Sequence, residues 1–386
     1  MSFDIYKETI MDVNHIQDLR LSPRILLGPG PSSVPPRVLS ALTNPVIGHL
    51  DPEFLALMQE VQAMLRFVFQ TENELTVPIS GTGSAGMEAA LCNFIEPGDR
   101  VLIAVKGYFG ERLVEIAGRY GATVDRLDRP WGQAFDPQEV VDALGRASYK
   151  LVAIVHAETS TGVLQPGIAE IASAAHRSGA LLVLDAVTSL GGLPVEIDAW
   201  EVDVAYSGTQ KSISAPPGLA PLTVSPRARE MLRNRKTPVR NWYLDLSMLE
   251  KYWGNERTYH HTAPISMNYA LREALRLVVE EGLEARFARH RANAQRLWAG
   301  LEELDLSLLV PLSYRLPTLT TPLVPPGVDE TEVRRRLLNE YNIEIAGGFG
   351  PLKGQIWRIG LMGFSSRREN VALLLAALRE ILADRK

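Results

Sequence analysis

Between Leu75 and Leu184 the chain alternates short apolar, β-branched runs with longer segments whose apolar residues recur at helical spacing. The runs are Leu75–Ile79, Val101–Val105, Val124–Leu127, Leu151–Val155 and Leu181–Leu184. Helices are predicted from the Gly81–Gly86 loop to Phe94 and near Gly110–Tyr120, Pro137–Leu144 and Ile168–Ser178. Strands joined by helices run parallel, and a strand apolar on both sides needs cover on both. The rhythm therefore predicts an α/β fold, a mostly parallel sheet with helices on both faces. Ligands of such sheets bind outside the carboxyl ends of the strands, so the loops there are candidate walls of one crevice.

Those loops carry different chemistries. Ser80-Gly81-Thr82-Gly83-Ser84-Ala85-Gly86 opens straight into a helix, so unpaired amides and the positive helix end converge on a point suited to a phosphate. The spacing fits G-x-G-x-x-G, but no acidic residue ends a second strand at the distance a dinucleotide site requires; Glu96-Pro97-Gly98-Asp99 makes a turn there. Phe109, in Lys106-Gly107-Tyr108-Phe109-Gly110, is either a stacking face for a flat cofactor or ordinary packing. His156 begins the loop that runs through Glu158 and Ser160 to Gly162, and no chemistry is assigned to it. Asp185 ends the run Leu181–Leu184. A carboxylate there either caps the next helix or, beside a pyridine nitrogen, keeps that nitrogen protonated.

Lys211 lies between the apolar stretch Val204-Ala205-Tyr206 and the turn Pro216-Pro217-Gly218, and is expected at the end of a strand. Fixed beside small hydroxylated residues, such an amine suits Schiff-base chemistry with an aldehyde cofactor; the other reading is a solvated surface lysine. Gly28-Pro29-Gly30-Pro31 fixes a turn without side chains, which either lets a substrate approach the main chain or is simply a rigid loop. Arg358 stands in the apolar stretch Ile356–Ile359 and needs a carboxylate, from an internal ion pair or from a substrate.

A formal charge of −5, with the basic stretch Arg227–Arg240 interrupted by Glu230 and Pro238, argues against nucleic acid. No segment approaches the roughly 18 uncharged apolar residues of a membrane span. Met1–Glu8 has neither signal-peptide nor transit-peptide character and Ala383–Lys386 is no peroxisomal address, so a cytoplasmic setting is expected. Cys92, the only cysteine, excludes an intrachain disulfide and reads as a buried small hydrophobe. No metal is expected. Adjacent His260 and His261 on an extended chain should point to opposite faces, and nothing of ligand spacing joins them.

Three parts are expected along the chain: a polar arm over 1–22, a large cofactor-binding domain over 23–282, and a smaller α+β domain over 283–386. A helix is expected from Val34 continuing through Phe69, and a strand after Pro221 should close the large sheet. Ile265–Glu281 is helical up to Gly282. Beyond it come a helix over Leu283–Leu304, short strands around Thr318–Val324, Ile343–Ala346 and Gln355–Gly363, and helices over Glu330–Tyr341 and from Arg367.

Taken in order, the phosphate loop, stacking aromatic, strand-end aspartate, lysine and late arginine resemble the fold-type I, class V aminotransferases that use pyridoxal 5'-phosphate, most of all the alanine–glyoxylate and serine–pyruvate type. The resemblance runs from about Leu26 to the last helix. It rests on Leu27-Gly-Pro-Gly-Pro31, Ser80-Gly-Thr-Gly-Ser84, Ser160-Thr-Gly-Val-Leu-Gln-Pro166, Leu184-Asp-Ala-Val-Thr-Ser-Leu-Gly-Gly192, Tyr206-Ser-Gly-Thr-Gln-Lys211, Ala215-Pro-Pro-Gly218, Tyr259-His-His-Thr262 and Arg358-Ile-Gly-Leu361.

The resemblance implies a role for each matching position. Lys211 would carry the cofactor and shuttle a proton, Asp185 would pair the ring nitrogen, Ser160 would contact the ring oxygen and Phe109 would stack. Thr82, Gly83, Ser84 and Gln210 would hold the phosphate, joined by Tyr259 and Thr262 from the other subunit of a homodimer with shared sites. Arg358 would take the substrate carboxylate, with Gly28 lining the pocket. Animal members carry Trp where this chain has Phe109, and His where it has Ser84. The implied reaction moves an amino group from alanine or serine to glyoxylate or pyruvate. Ureidoglycine as donor is the related alternative. A cysteine desulfurase would need a cysteine in the late half, and Gly347–Gly354 has none; a non-catalytic subunit would have lost Lys211, Asp185 or Arg358.

Overall fold

A computed structural model of the chain describes residues 18–383; most of the expected arm, residues 1–17, lies outside the described residues. The large sheet has seven strands: β1 Leu75–Ser80, β2 Arg100–Val105, β3 Thr123–Asp128, β4 Leu151–Val155, β5 Leu181–Asp185, β6 Val204–Tyr206 and β7 Leu219–Val224. Their spatial order is β1-β7-β6-β5-β4-β2-β3. The central strands β4 and β5 are buried at every residue, and β3, at one edge, mixes exposed and half-buried positions. Composition follows position: Leu151–Val155 has no polar residue, whereas Thr123–Asp128 has polar side chains to show to water.

β7 does not close the sheet at an edge, as its place in the chain implied. It is inserted between β1 and β6 and runs antiparallel to both. The reason is local, because Ser207–Gly218 reverses the chain without a crossover helix, and only an antiparallel neighbour can be reached that way.

Two apolar clusters cover the sheet. One gathers Val77, Ile103, Val183 and Leu222 against helix Gly83–Cys92 and the segment Leu244–Trp253; the other gathers Leu102, Ile154, Leu182 and Leu184 against helices Pro137–Leu144, Ile168–Arg177 and Ile265–Glu281. The stretch expected as one continuing helix from Val34 is split into Pro36–Ala41 and Pro52–Phe69. Asp51 accounts for the restart: its side chain accepts the Glu53 amide at 2.9 Å, with Pro52 in the first turn.

Helix Ile265–Glu281 stops at Gly282, which adopts φ +78°, and helix Leu283–Glu302 leads to the C-terminal part. There β8 Leu319–Thr320, β9 Ala346–Gly347 and β10 Trp357–Gly360 form an antiparallel sheet in the order β8-β10-β9, backed by helices Glu330–Tyr341 and Arg368–Ala383. Ile25–Leu26 pairs in parallel with Ile343–Glu344, and Leu27 is buried in the C-terminal cluster with Leu297, Trp357 and Ile359. The beginning of the described chain is therefore laid against its last third. Among the described residues no helix is long and apolar enough to cross a membrane.

Candidate active site

The carboxyl ends of β1, β2, β4, β5 and β6 face one crevice. At its floor stands Asp185, 2% exposed. The Tyr206 hydroxyl donates to its Oδ2 at 2.7 Å and the Val187 amide to its Oδ1 at 2.9 Å. The register that puts Asp185 beside Tyr206 across β5 and β6 sets the first contact. Burial pushes the Asp185 carboxyl up to about 6; these two hydrogen bonds pull it back, Glu158 adds to the rise and Lys211 opposes it. The bond to Val187 closes a turn, and no helix starts there for Asp185 to cap. What remains is a desolvated carboxylate short of positive charge, which fits a protonated ring nitrogen.

Lys211 lies beyond the end of β6, in the turn after Tyr206, rather than on the strand itself. Two pegs hold the turn rigid: the Ser207 amide donates to the Pro221 carbonyl at 2.7 Å, and Thr209 Oγ1 donates to Pro216 at 2.7 Å. A third contact comes from far along the chain, Ser32 Oγ donating to the Lys211 carbonyl at 2.7 Å. The lysine Nζ donates to the carbonyl of Pro29. Gly30, at φ +112°, is required here: a Cβ on it would come within 2.8 Å of Nζ. Lys211 is 8% exposed, so it is not a solvated lysine. Burial, with Arg358 adding repulsion and Asp185 opposing, lowers its amine to about 8.

Helix Gly83–Cys92 begins at Thr82, whose side chain makes no cap, so the first amides of the helix are left for something else. Gly81, at φ +147°, permits this sharp entry, since a Cβ there would lie 2.6 Å from that of Ala85. Thr82 and Ser84 are exposed and Gly83 is buried under them. Gln210 reaches the same region with a buried Oε1 that has no partner. The uncapped amides and the Thr82 and Ser84 hydroxyls are donors gathered at one helix start, as a phosphate needs.

Phe109 is half-buried, edge-on to Tyr108 at 5.7 Å between ring centres. Ser160 is fully enclosed: its hydroxyl donates to Glu158 Oε1 at 2.6 Å and accepts the Tyr108 amide at 2.9 Å. In this state Ser160 ties two crevice loops together and its proton is committed to Glu158. Lys106, also fully buried, donates to the Val155 carbonyl, and desolvation lowers it to about 8 against the pull of Glu158 and Asp185. Sequence reasoning missed Tyr206, Glu158 and Lys106. For Tyr206 the signal was present, because Asp185 and Tyr206 each end an apolar run, and neighbouring parallel strands that end together put the two side by side.

Arg358, on β10, is 3% exposed and has no carboxylate partner among the described residues. Its Nε donates to the Gly347 carbonyl at 2.7 Å, Nη1 reaches Thr159 at 3.4 Å, and the guanidinium lies over the Phe349 ring at 3.9 Å. Desolvation lowers it to about 10. The internal ion pair is thus absent, and a buried fork awaits an anion. Gly28 sits close by: a Cβ on Gly360 would fall 2.0 Å from the Gly28 carbonyl oxygen, so the two backbones touch.

Tyr259 is 57% exposed, with its ring 5.2 Å from that of His49, and Thr262 is exposed. Neither hydrogen-bonds to the phosphate loop of its own chain among the described residues. His260 and His261 do not point apart. The segment is irregular, and their Nδ1 atoms meet at 2.8 Å, with His261 Nε2 bonded to Ser80 Oγ at 2.6 Å. Among the described residues no cluster of three metal-ligating side chains exists. His156 is buried against Ser189 and Trp200 and held neutral, its imidazole lowered to about 3 by burial and by Lys106.

A mostly parallel α/β sheet, a helix-entry anion loop and a buried strand-end acid next to a buried amine define the fold-type I transferases. Within that class the chain belongs to the aminotransferase class-V family, whose model matches residues 25–359. It is 45% identical to the (S)-ureidoglycine–glyoxylate transaminase of Bacillus subtilis (strain 168), over 93% of this chain and 90% of that one. It is 42% identical to an alanine–glyoxylate aminotransferase of Drosophila melanogaster, over 94% and 93%. The crystal structure of an alanine–glyoxylate aminotransferase from Nostoc sp. superposes with a TM-score of 0.93 at 53% identity, covering 98% of this chain and 99% of that chain.

Proposed function

We propose that this aminotransferase uses pyridoxal 5'-phosphate to move the amino group of a small L-amino acid, alanine or serine, to glyoxylate or pyruvate. One observation carries the reading: Lys211, Asp185 and Arg358, distant in sequence, meet at one crevice, each desolvated and each lacking the partner that cofactor or substrate would bring. When bound, the cofactor supplies an aldehyde that condenses with amines and a ring that holds the electron pair left when the α-proton departs.

The chain's own residues do the rest. Thr82, Gly83, Ser84 and Gln210 hold the phosphate, Phe109 covers one ring face, and Ser160 fixes the loop beside it. Asp185, oriented by Tyr206 and Val187, keeps a fixed anion at the ring nitrogen. Arg358 grips the substrate carboxylate over Gly28 and so aims the α-carbon at Lys211. Lys211 Nζ takes the α-proton from the amino donor and returns one to the α-carbon of the product amino acid. Tyr259 and Thr262 complete the phosphate site of a second copy. Its support is an exposed aromatic surface in which Tyr259 meets His49, and His260 meets Trp242 at 4.5 Å and Tyr243 at 6.1 Å. The same reading divides the chain at Gly282 into a cofactor-binding and a smaller unit, and sets its work in the cytoplasm.

Ureidoglycine as donor is the second reading, supported by the similarity to the Bacillus subtilis transaminase. A screen of alanine, serine, glycine and ureidoglycine against glyoxylate and pyruvate separates the two. Alanine or serine turning over with glyoxylate or pyruvate, and stopping in Lys211→Ala, is the expected result; turnover with ureidoglycine alone replaces the first reading by the second.

A further inference from the structure

The residues assigned above to the phosphate are all neutral: two hydroxyls, backbone amides and an amide side chain from the crevice, with two more hydroxyls across the interface. A phosphate monoester carries nearly two negative charges near neutral pH. Neutral donors alone leave that charge uncompensated in a partly desolvated site.

Helix Tyr108–Arg119 begins one residue after Gly107 and carries Arg112 toward the phosphate loop. Arg112 Nη1 donates to Ser84 Oγ at 3.0 Å. Its guanidinium also lies over the rings of Tyr108 and Phe109, at 5.1 and 5.2 Å. Nearby arginines are neutralised, Arg119 by Glu115 and Arg126 by Glu111 and Asp128. Arg112 has no carboxylate partner among the described residues. A guanidinium that stays unpaired among acidic neighbours, and half-buried on two aromatic faces, has kept its charge for something else.

We propose that Arg112 is the cation of the phosphate subsite, a positioning residue that acts through Ser84. The direction of the hydrogen bond is the reason. Ser84 Oγ accepts from Arg112, so its own proton is left to be donated outward to an anion, and the guanidinium strengthens that donation. The proposal rests on the cofactor reading above.

Equilibrium dialysis of apo-protein with pyridoxal 5'-phosphate and with pyridoxal, which lacks the phosphate, tests it on the parent, R112Q and R112K. R112Q should lose roughly tenfold to a hundredfold in affinity for the phosphorylated compound, as expected for one charge-assisted contact, and keep its affinity for pyridoxal. R112K, which retains the charge without the fork, should fall between the two. Inorganic phosphate should compete with the phosphorylated compound more weakly in R112Q than in the parent. R112Q binding the phosphorylated compound as the parent does, or losing both compounds equally, would overturn the assignment, as would R112K binding more weakly than R112Q. A parent protein that does not prefer the phosphorylated compound would sink the cofactor reading instead.

Discussion

An amine surrounded by protein loses more from being charged than one in water, and Lys211 is placed where that cost is high and a neighbouring guanidinium adds to it. The neutral form is the one that attacks an aldehyde, so its abundance sets the rate of cofactor capture. With the amine at about 8 rather than its ordinary 10.5, capture by apo-protein should climb with pH and level off above about 8. Stopped-flow absorbance at fixed aldehyde gives the midpoint, and a value near 10.5 would mean a solvated lysine. In Arg358→Met the repulsion is gone, so the midpoint should move upward. The same arginine is the anchor expected for substrate. Arg358→Lys keeps a charge and loses the bidentate fork, which should weaken binding of amino and 2-oxo acids by roughly tenfold to a hundredfold. Pyruvate bound equally well by that variant would assign the carboxylate elsewhere.

Elements, rather than single side chains, aim the phosphate loop. Helix Gly83–Cys92 crosses β6 and β7 so closely that a Cβ on Gly86 would stand 3.0 Å from that of Ala220 and 3.3 Å from that of Tyr206. A larger residue would gain up to about 1 kcal/mol of helix propensity over glycine, but forcing apart a packed helix and sheet costs about 1–3 kcal/mol. Gly86→Val should therefore lower stability in urea denaturation and, by lifting the helix start, loosen the phosphate site. A variant of unchanged stability would show that the helix shifts without cost. The glycine's meaning was not readable from its motif, because the constraint comes from two strands more than a hundred residues further along. What was legible were features with a local cause: alternating runs gave the parallel sheet, Asp185 and Lys211 gave the crevice, and the glycine-hydroxyl loop gave the uncapped helix start beside it. What was not legible depended on partners across the fold. Ser160 turned inward because Glu158 waits beneath it, β7 slipped inside the sheet because its turn is tight, and His260 met His261 because the backbone there is irregular.

At the scale of the whole molecule, large apolar side chains stay open to water around Tyr259 and Trp242. Val46 is 72% exposed, Trp242 58% and Tyr259 57%, a density of large apolar side chains that a second copy would cover. If Tyr259 reaches the partner's phosphate with a charge-assisted hydrogen bond of about 1.5–3 kcal/mol, cofactor affinity and dimerisation are linked. Sedimentation of apo- and holo-protein should then show the cofactor tightening the dimer, and Tyr259→Phe loosening both. A fully active monomer would sink the shared-site idea. During synthesis, Ile25–Leu26 leaves the ribosome long before Ile343–Glu344, to which it is paired; the flanking contact of Arg24 with Asn342 spans 318 residues. At about 5–20 residues per second the wait is roughly 15–60 s. Once Val224 has emerged the strands of the large sheet are all present, yet until Ile343 follows, the Pro29 carbonyl that receives the Lys211 amine is steadied on one side only, by Ser32 on Gln210 and Lys211. The strap over the Lys211 amine is thus fastened at its far end only by the last stretch of chain to be made, and a chain cut short before Ile343 would lack that fastening.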